Sequence, residues 1–416
     1  MSLSSTQSRL TILVWALGTT QVIGYGTLYY AFGILAAPMA HDLDWPQEWV
    51  FGVFSAALLL GGLAAPLAGR QMDRLGAGRV MVVGSLLSAL ALACAAMAPG
   101  RVGFVFSIVA IELAATLVLY DAAFAALAQA AGSAAKQRIT QLTLIGGFAS
   151  TAFWPLTALL LEHLTWREIF LAFALLHLGI CAPLHLLLAR SLDWRKASAL
   201  ALAGGSAPAT HHAGSLSPAA RPRAFLWMAA GFSCGGFVLS AVLMHVVPML
   251  ATLGLGAAAA LVGSLFGPAQ VVARLVNMLF GGRLAATWLA VLSTALLPCG
   301  LALLLVSAPA LPGALAFALL FGMGSGLISI VRGTVPLMLF GTADYGARLG
   351  RLTAIRVVTT AAAPFALAVL LARLGPAWAL SGLVLIGLAG VVALIALARL
   401  SASAAPQPRL TPATSG

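Results

Sequence analysis

Gly69-Arg-Gln-Met-Asp-Arg-Leu-Gly-Ala-Gly-Arg79 holds four charged residues, Arg70, Asp73, Arg74 and Arg79, in a 416-residue chain that is only 8% charged. Apolar stretches lie on both sides of it, 48–68 and 79–98. Each is long enough to cross a bilayer, since about 20 residues of helix span the hydrocarbon core. The charged run therefore reads as a short turn between two membrane spans.

The same reading carried outward gives twelve spans: 11–39, 48–68, 79–98, 102–130, 138–162, 167–190, 222–250, 257–280, 284–305, 310–336, 350–373 and 377–399. Hydrophobic residues make up 62% of the chain. A soluble domain carries about 25% charged residues, so a water-soluble enzyme with a membrane tail is excluded. The first span follows Arg9 and runs apolar to about Ala40 without a small-residue cleavage pattern, which makes it an uncleaved span. The expected fold is an all-α integral membrane protein. Residues 1–190 form a six-helix bundle, 191–221 a linker rich in Ala, Gly, Ser and Pro, 222–400 a second six-helix bundle, and 401–416 a tail. The adjacent His211 and His212 in the linker read as solvated residues rather than a metal site.

Basic residues orient the chain. Of the 22 Lys and Arg, Arg274, Arg332 and Arg356 fall inside spans. Arg101, Arg167 and Arg373 fall on one face, and the other sixteen fall on the face that carries 69–79. That face is read as cytoplasmic, with both termini inside. The net charge of +12 reflects scarce acids rather than a basic block, so no nucleic-acid partner is implied.

An ionised side chain at the centre of a membrane helix costs about 2.5–3.5 kcal/mol on translocon scales, so it needs a partner or a cavity. Arg274 shares a helix face with Gln270 and Asn277, at spacings of four and three. A guanidinium there suits a carboxylate, or else an internal salt bridge or gate. Arg332, behind Ser325 and Ser329, lies near the cytoplasmic end and reads as a gate or a snorkelled charge. Arg356 is either a second anion contact or an interfacial charge. Tyr25 and Tyr29, at four-residue spacing with Gln21, are candidates for a pocket wall, as is Trp154 with Thr143, Gly147 and Ser150. Glu112 and Asp121 are nine residues apart, half a turn out of phase on a straight helix. Asp121 is expected to pair with Arg79, and Glu112 or His245 to be a proton-binding group.

No Gly-Lys-Ser/Thr nucleotide loop or HExxH occurs, and the single GxSxG, at 231–235, lies inside an apolar span, so neither an ATP-driven pump nor an enzyme is indicated. Cys94, Cys181, Cys234 and Cys299 lie in apolar runs without CxxC spacing. The reading calls for no cofactor and no metal.

With Gly69, Asp73, Arg74, Gly76 and Arg79 in place, the span 2–3 turn resembles the loop signature of the major facilitator superfamily. The match is loose at its end, where Ala77 and Gly78 separate Gly76 from Arg79. The resemblance implies two six-helix bundles around a midplane cavity, working by alternating access. It also implies that Asp73 caps a second-half helix near span 11, and that a basic residue, Arg79 or Arg74, pairs with an acid on span 4, here Asp121. Arg274, and approximately Arg356, match the basic residues of bacterial monocarboxylate and oxalate/formate type carriers. The segment from Phe340 and Gly341 through Tyr345 and Gly346 to Gly350 looks like their loop before span 11. The implied function is secondary transport of a small organic anion such as a monocarboxylate, with a co-transported proton, by a monomer in the lipid bilayer. The competing expectation is efflux of an amphipathic drug, metabolite or metalloid compound, with Arg274 then structural and paired with Glu112.

Overall fold

In the computed structural model the described residues are 3–191, 214–256, 258–281 and 284–403. Most of the linker, with His211 and His212, lies outside them, as do Arg283, the tail beyond 403 and the side chains of Arg9, Ser150 and Trp154.

The apolar runs fold as helices: α1 (Leu10–Asp42), α2 (Glu48–Leu75), α3 (Ala77–Met97), α4 (Gly100–Ala131), α5 (Ala135–Leu161) and α6 (Trp166–Ser191). The second half has α7 (Arg221–Leu250), α8 (Leu261–Phe280), α9 (Ala286–Ser307) and α10 (Leu311–Phe340). A last helical run, Tyr345–Ser403, is broken at Gly375, whose φ of 79° is open to glycine and strained for other residues. The break yields α11 (345–374) and α12 (376–403). Eleven helices among the described residues are long and apolar enough to cross a membrane. The arginine-bearing α11 completes the twelve.

These helices are apolar on the outside as well as inside. Phe106 and Val306 are 71% and 80% exposed. A helix that is hydrophobic all round belongs in lipid or deep in a core, and exposure on this scale fits lipid. Inside each bundle, close approach depends on small residues. Gly322 and Gly326 of α10 lie against the backbone of α8, at Phe266 and Gln270, where an added Cβ would come within 3 Å of it.

Two features depart from regular helix. In α1 the turn Gly26–Tyr30 is a π-helix, with the Ala31 N–H bonded to the Gly26 carbonyl. In α4 the helix breaks between Ala115 and Tyr120, and buried Gln21 donates to the Val118 carbonyl at 2.8 Å. Gln21 thus satisfies a carbonyl freed by the break. The expected linker also shortens. Ser215 and Leu216 donate their N–H groups to the carbonyls of Met338 and Leu339, closing the C-terminal end of α10.

Candidate functional site

The 69–79 turn is built to grip the other bundle. Gly76 (φ 92°) ends α2 and opens α3. Gln129 of α4 braces the turn, donating to the Met72 carbonyl at 2.9 Å and accepting from the Ala77 N–H at 3.0 Å. Sequence reasoning missed Gln129, whose only signal is one amide in an alanine-rich run. Gly69 meets Gly346 backbone to backbone, with no room for a Cβ on either. That contact brings Asp73 to the start of α11. Its Oδ1 accepts the Gly346 N–H at 2.9 Å and its Oδ2 the Ala347 N–H at 2.7 Å. A carboxylate on the orphan N–H groups of a helix N-terminus is a favourable charge–dipole match. Arg74 and Arg79 are exposed.

The described partners of Asp121 are not on its own bundle. Its Oδ1 is 3.2 Å from Nη2 of Arg332 on α10, and its Oδ2 accepts from the Thr353 hydroxyl on α11 at 2.5 Å. Both described partners belong to the second bundle. The carboxylate therefore bridges the two halves rather than closing the first half on itself. Tyr345 adds a buried bond from its hydroxyl to the Gly333 carbonyl at 2.7 Å. At the opposite end the described ion pairs, Arg167–Asp42 at 2.8 Å and Arg101–Asp44 at 3.6 Å, stay within the first bundle.

Between the ends, Arg274 is buried at 6% exposure. Nε donates to the Gly326 carbonyl at 3.2 Å and Nη2 to Gln270 Oε1 at 3.3 Å, while Nη1 lies over Gly147 of α5 in the first bundle. A side chain on residue 147 would occupy the guanidinium's position, so glycine there is what admits it. The field of Arg274 reaches the phenols of Tyr30 and Tyr120. Arg356 lies along Gly236 of α7, and its Nε is buried with no described partner. Groups of both bundles act on Arg356: Tyr25, Tyr29 and Asp121 in the first and Arg332 in the second. Neither Arg274 nor Arg356 forms an ion pair among the described residues.

Four tyrosines gather beside these cations. Tyr25 lies 4.6 Å from Tyr120 and 6.2 Å from Tyr30 between ring centroids, and Tyr29 lies 5.3 Å from Tyr30. Sequence spacing selected Tyr25 and Tyr29 and missed Tyr30 and Tyr120. The π-turn is the reason for Tyr30, since one extra residue in the turn brings position i+5 round toward position i, and the break in α4 is the reason for Tyr120.

Other expected residues are placed elsewhere. Asn277 packs its amide against Gly281 at the end of α8 instead of joining Arg274. Glu112 is buried among Thr27, Phe32, Phe54 and Phe170 inside the first bundle, beside a cavity of about 10 Å³, and its Oε1 has no described partner. It therefore makes no pair with Arg274. Among the described residues His245 bonds to the Ala241 carbonyl of its own helix, at 3.2 Å. The Trp154 side chain lies outside the described residues.

The family model described as Major Facilitator Superfamily matches residues 17–347. The chain belongs to the major facilitator superfamily. It is thus a multi-pass membrane transport protein of a family that is not enzymatic. No curated relative matches the sequence significantly. Among solved structures, the fold is similar to the human organic anion transporter MFSD10 (TETRAN), with TM-score 0.70 and 16% identity over 93% of this chain and 99% of that one. It is similar to FucP in the outward conformation, with TM-score 0.66 and 15% identity over 94% and 98%. The proton:xylose symporter XylE gives TM-score 0.66 and 15% identity over 96% of each chain. Identities this low speak for the fold alone. Within the superfamily fold, the arrangement offers two unmatched guanidiniums and a tyrosine cluster at the seam where the bundles meet.

Proposed function

We propose that the protein is a secondary active transporter that carries a small organic anion, such as a monocarboxylate, by alternating access. The observation behind this is the pair Arg274 and Arg356, buried or half-buried cations at the bundle seam with no described carboxylate partner. An uncompensated cation in a low-dielectric seam is costly, and an anionic substrate relieves that cost. Arg274, oriented by Gln270 and the Gly326 carbonyl, holds the carboxylate. Arg356 supplies the second positive charge, and Tyr25, Tyr29, Tyr30 and Tyr120 form the wall. A human organic anion transporter is among the similar structures, which is in keeping with that substrate class.

Asp73, Asp121 and Arg332 hold the 69–79 end shut in this state and release it in the other. Glu112 is the proton-coupling group of the reading, with His245 second. The charge bias places the 69–79 end in the cytoplasm, in a bacterial inner membrane, and the protein works as a monomer.

The test is uptake of labelled mono- and dicarboxylates into proteoliposomes under an imposed pH gradient, with internal pH followed in parallel. Substrate-dependent uptake that collapses in Arg274→Ala and Arg356→Ala supports the reading. Uptake unchanged in both variants at equal protein incorporation defeats it. Resistance to amphipathic toxicants on expression, without carboxylate flux, would favour efflux instead.

A further inference from the structure

Away from the seam, at the 69–79 end of the second bundle, a cleft of about 430 Å³ opens between the start of α7, the end of α10 and the start of α11. It is lined by Arg221, Arg348 and Arg351 with Phe225, Phe340 and Leu226. We infer that this cleft binds the phosphate of an anionic phospholipid.

The charge is preassembled. Arg221, Arg348 and Arg351 line one cleft, and Asp344 and Asp73 are the acids that act on Arg348. Asp73 is already engaged by the Gly346 and Ala347 N–H groups. Neither Arg221 nor Arg351 forms an ion pair among the described residues, and Arg221 Nε is shielded from solvent without a described partner. The guanidiniums are also held in place. Arg348 sits 5.2 Å from the Phe340 ring centroid and donates to the Ala343 carbonyl, and Arg351 sits 5.6 Å from Phe225. Such cation–π seating fixes a planar donor set while leaving N–H groups free for phosphate oxygens.

An apolar wall accompanies the charge. Leu226, 67% exposed and part of the cleft lining, and its neighbour Trp227, 43% exposed, give α7 an exposed apolar surface there. Free phosphate has no use for that strip, whereas a lipid lays its acyl chain on it. Basic pockets between membrane helices bind acidic headgroups for this reason. The occupant bridges three helix ends, and Arg348 immediately follows Ala347, whose N–H caps onto Asp73.

The experiment uses the full-length protein in detergent micelles. Its unfolding midpoint is titrated with short-chain phosphatidylglycerol, short-chain phosphatidylcholine, or inorganic phosphate at matched ionic strength. Phosphatidylglycerol alone is expected to raise the midpoint. Arg351→Gln, at an exposed position, should weaken the apparent affinity about fivefold, and the triple R221Q/R348Q/R351Q about a hundredfold. Arg351→Lys should retain most of it. Arg223→Gln, an exposed neighbour outside the cleft lining, should change nothing.

Three results overturn the inference. One is titration of Arg351→Gln identical to the parent. Another is an equal loss in Arg223→Gln, which would mean diffuse charge. The last is an equal shift from inorganic phosphate, which would assign the cleft to a soluble anion.

Discussion

Two regions of the seam treat charge in opposite ways. At the 69–79 end three seam charges are matched: Asp73 by two backbone N–H groups, and Asp121 and Arg332 by each other with Thr353. Midway along, Arg274 and Arg356 form no ion pair among the described residues: an amide and a carbonyl hold Arg274, and the acid that acts on Arg356, Asp121, is already paired with Arg332. The matched charges join residues of the two bundles. The unmatched ones fit a role that requires a ligand. The distinction rests on partners, not depth, since a buried charge without a counter-charge is stable only where something else supplies one.

The sharpest way to break that contrast is Arg274→Ala. Uptake efficiency should fall by about ten- to a hundredfold, the worth of a hydrogen bond to a charged group. The unfolding midpoint should stay level or rise, because a cation without a counter-charge has been removed. A large fall in midpoint together with lost uptake would make Arg274 a structural residue and dissolve the comparison.

Next in size is Gly69→Ala. The new Cβ would lie 2.0 Å from the Gly346 carbonyl oxygen, so the contact must open. Overpacking of this kind costs about 1–3 kcal/mol. Thiol labelling of an introduced cysteine at Thr353 should speed up as the 69–79 end loosens. Unchanged labelling would show that the contact does not hold the seam.

Asp121 and Arg332 sharpen the matched side. Asp121→Asn and Arg332→Gln should each loosen the same end, and the double variant should lose less than their sum. The coupling should be about 0.5–1 kcal/mol for a partly buried pair, read as a double-mutant cycle in unfolding free energy. Strict additivity would mean that the 3.2 Å contact carries no energy. The smallest effect belongs to Tyr29→Phe, whose ring is 41% exposed. Stability should not change, and substrate affinity should fall about fivefold if the hydroxyl bonds the anion, as for an ordinary hydrogen bond of about 1 kcal/mol.

Local residues made much of this legible. The run lengths gave the helices, because each span needs a fixed number of apolar residues whatever surrounds it. Gly69, Asp73 and Gly76 pointed to the latch, and Arg274 with Gln270 kept its four-residue spacing because α8 is regular there. Where the helices are irregular, spacing misled. The π-turn at Gly26–Tyr30 exchanged the neighbours of Tyr25, and the break in α4 put Tyr120 next to it. Asn277 had the right spacing but sits at a helix end, where Gly281 takes up its amide.

The sequence by itself determined that this chain lives in a membrane, folds as two sets of six helices and carries three arginines where arginine is costly. It did so because burial in lipid acts residue by residue along the chain. Only the tertiary structure decided which of those arginines is answered. Asp121 meets Arg332 across 211 positions, and Gly147 makes room for Arg274 from the other bundle. Pairings of that reach leave no period in the sequence, because they depend on how two separately packed bundles face each other.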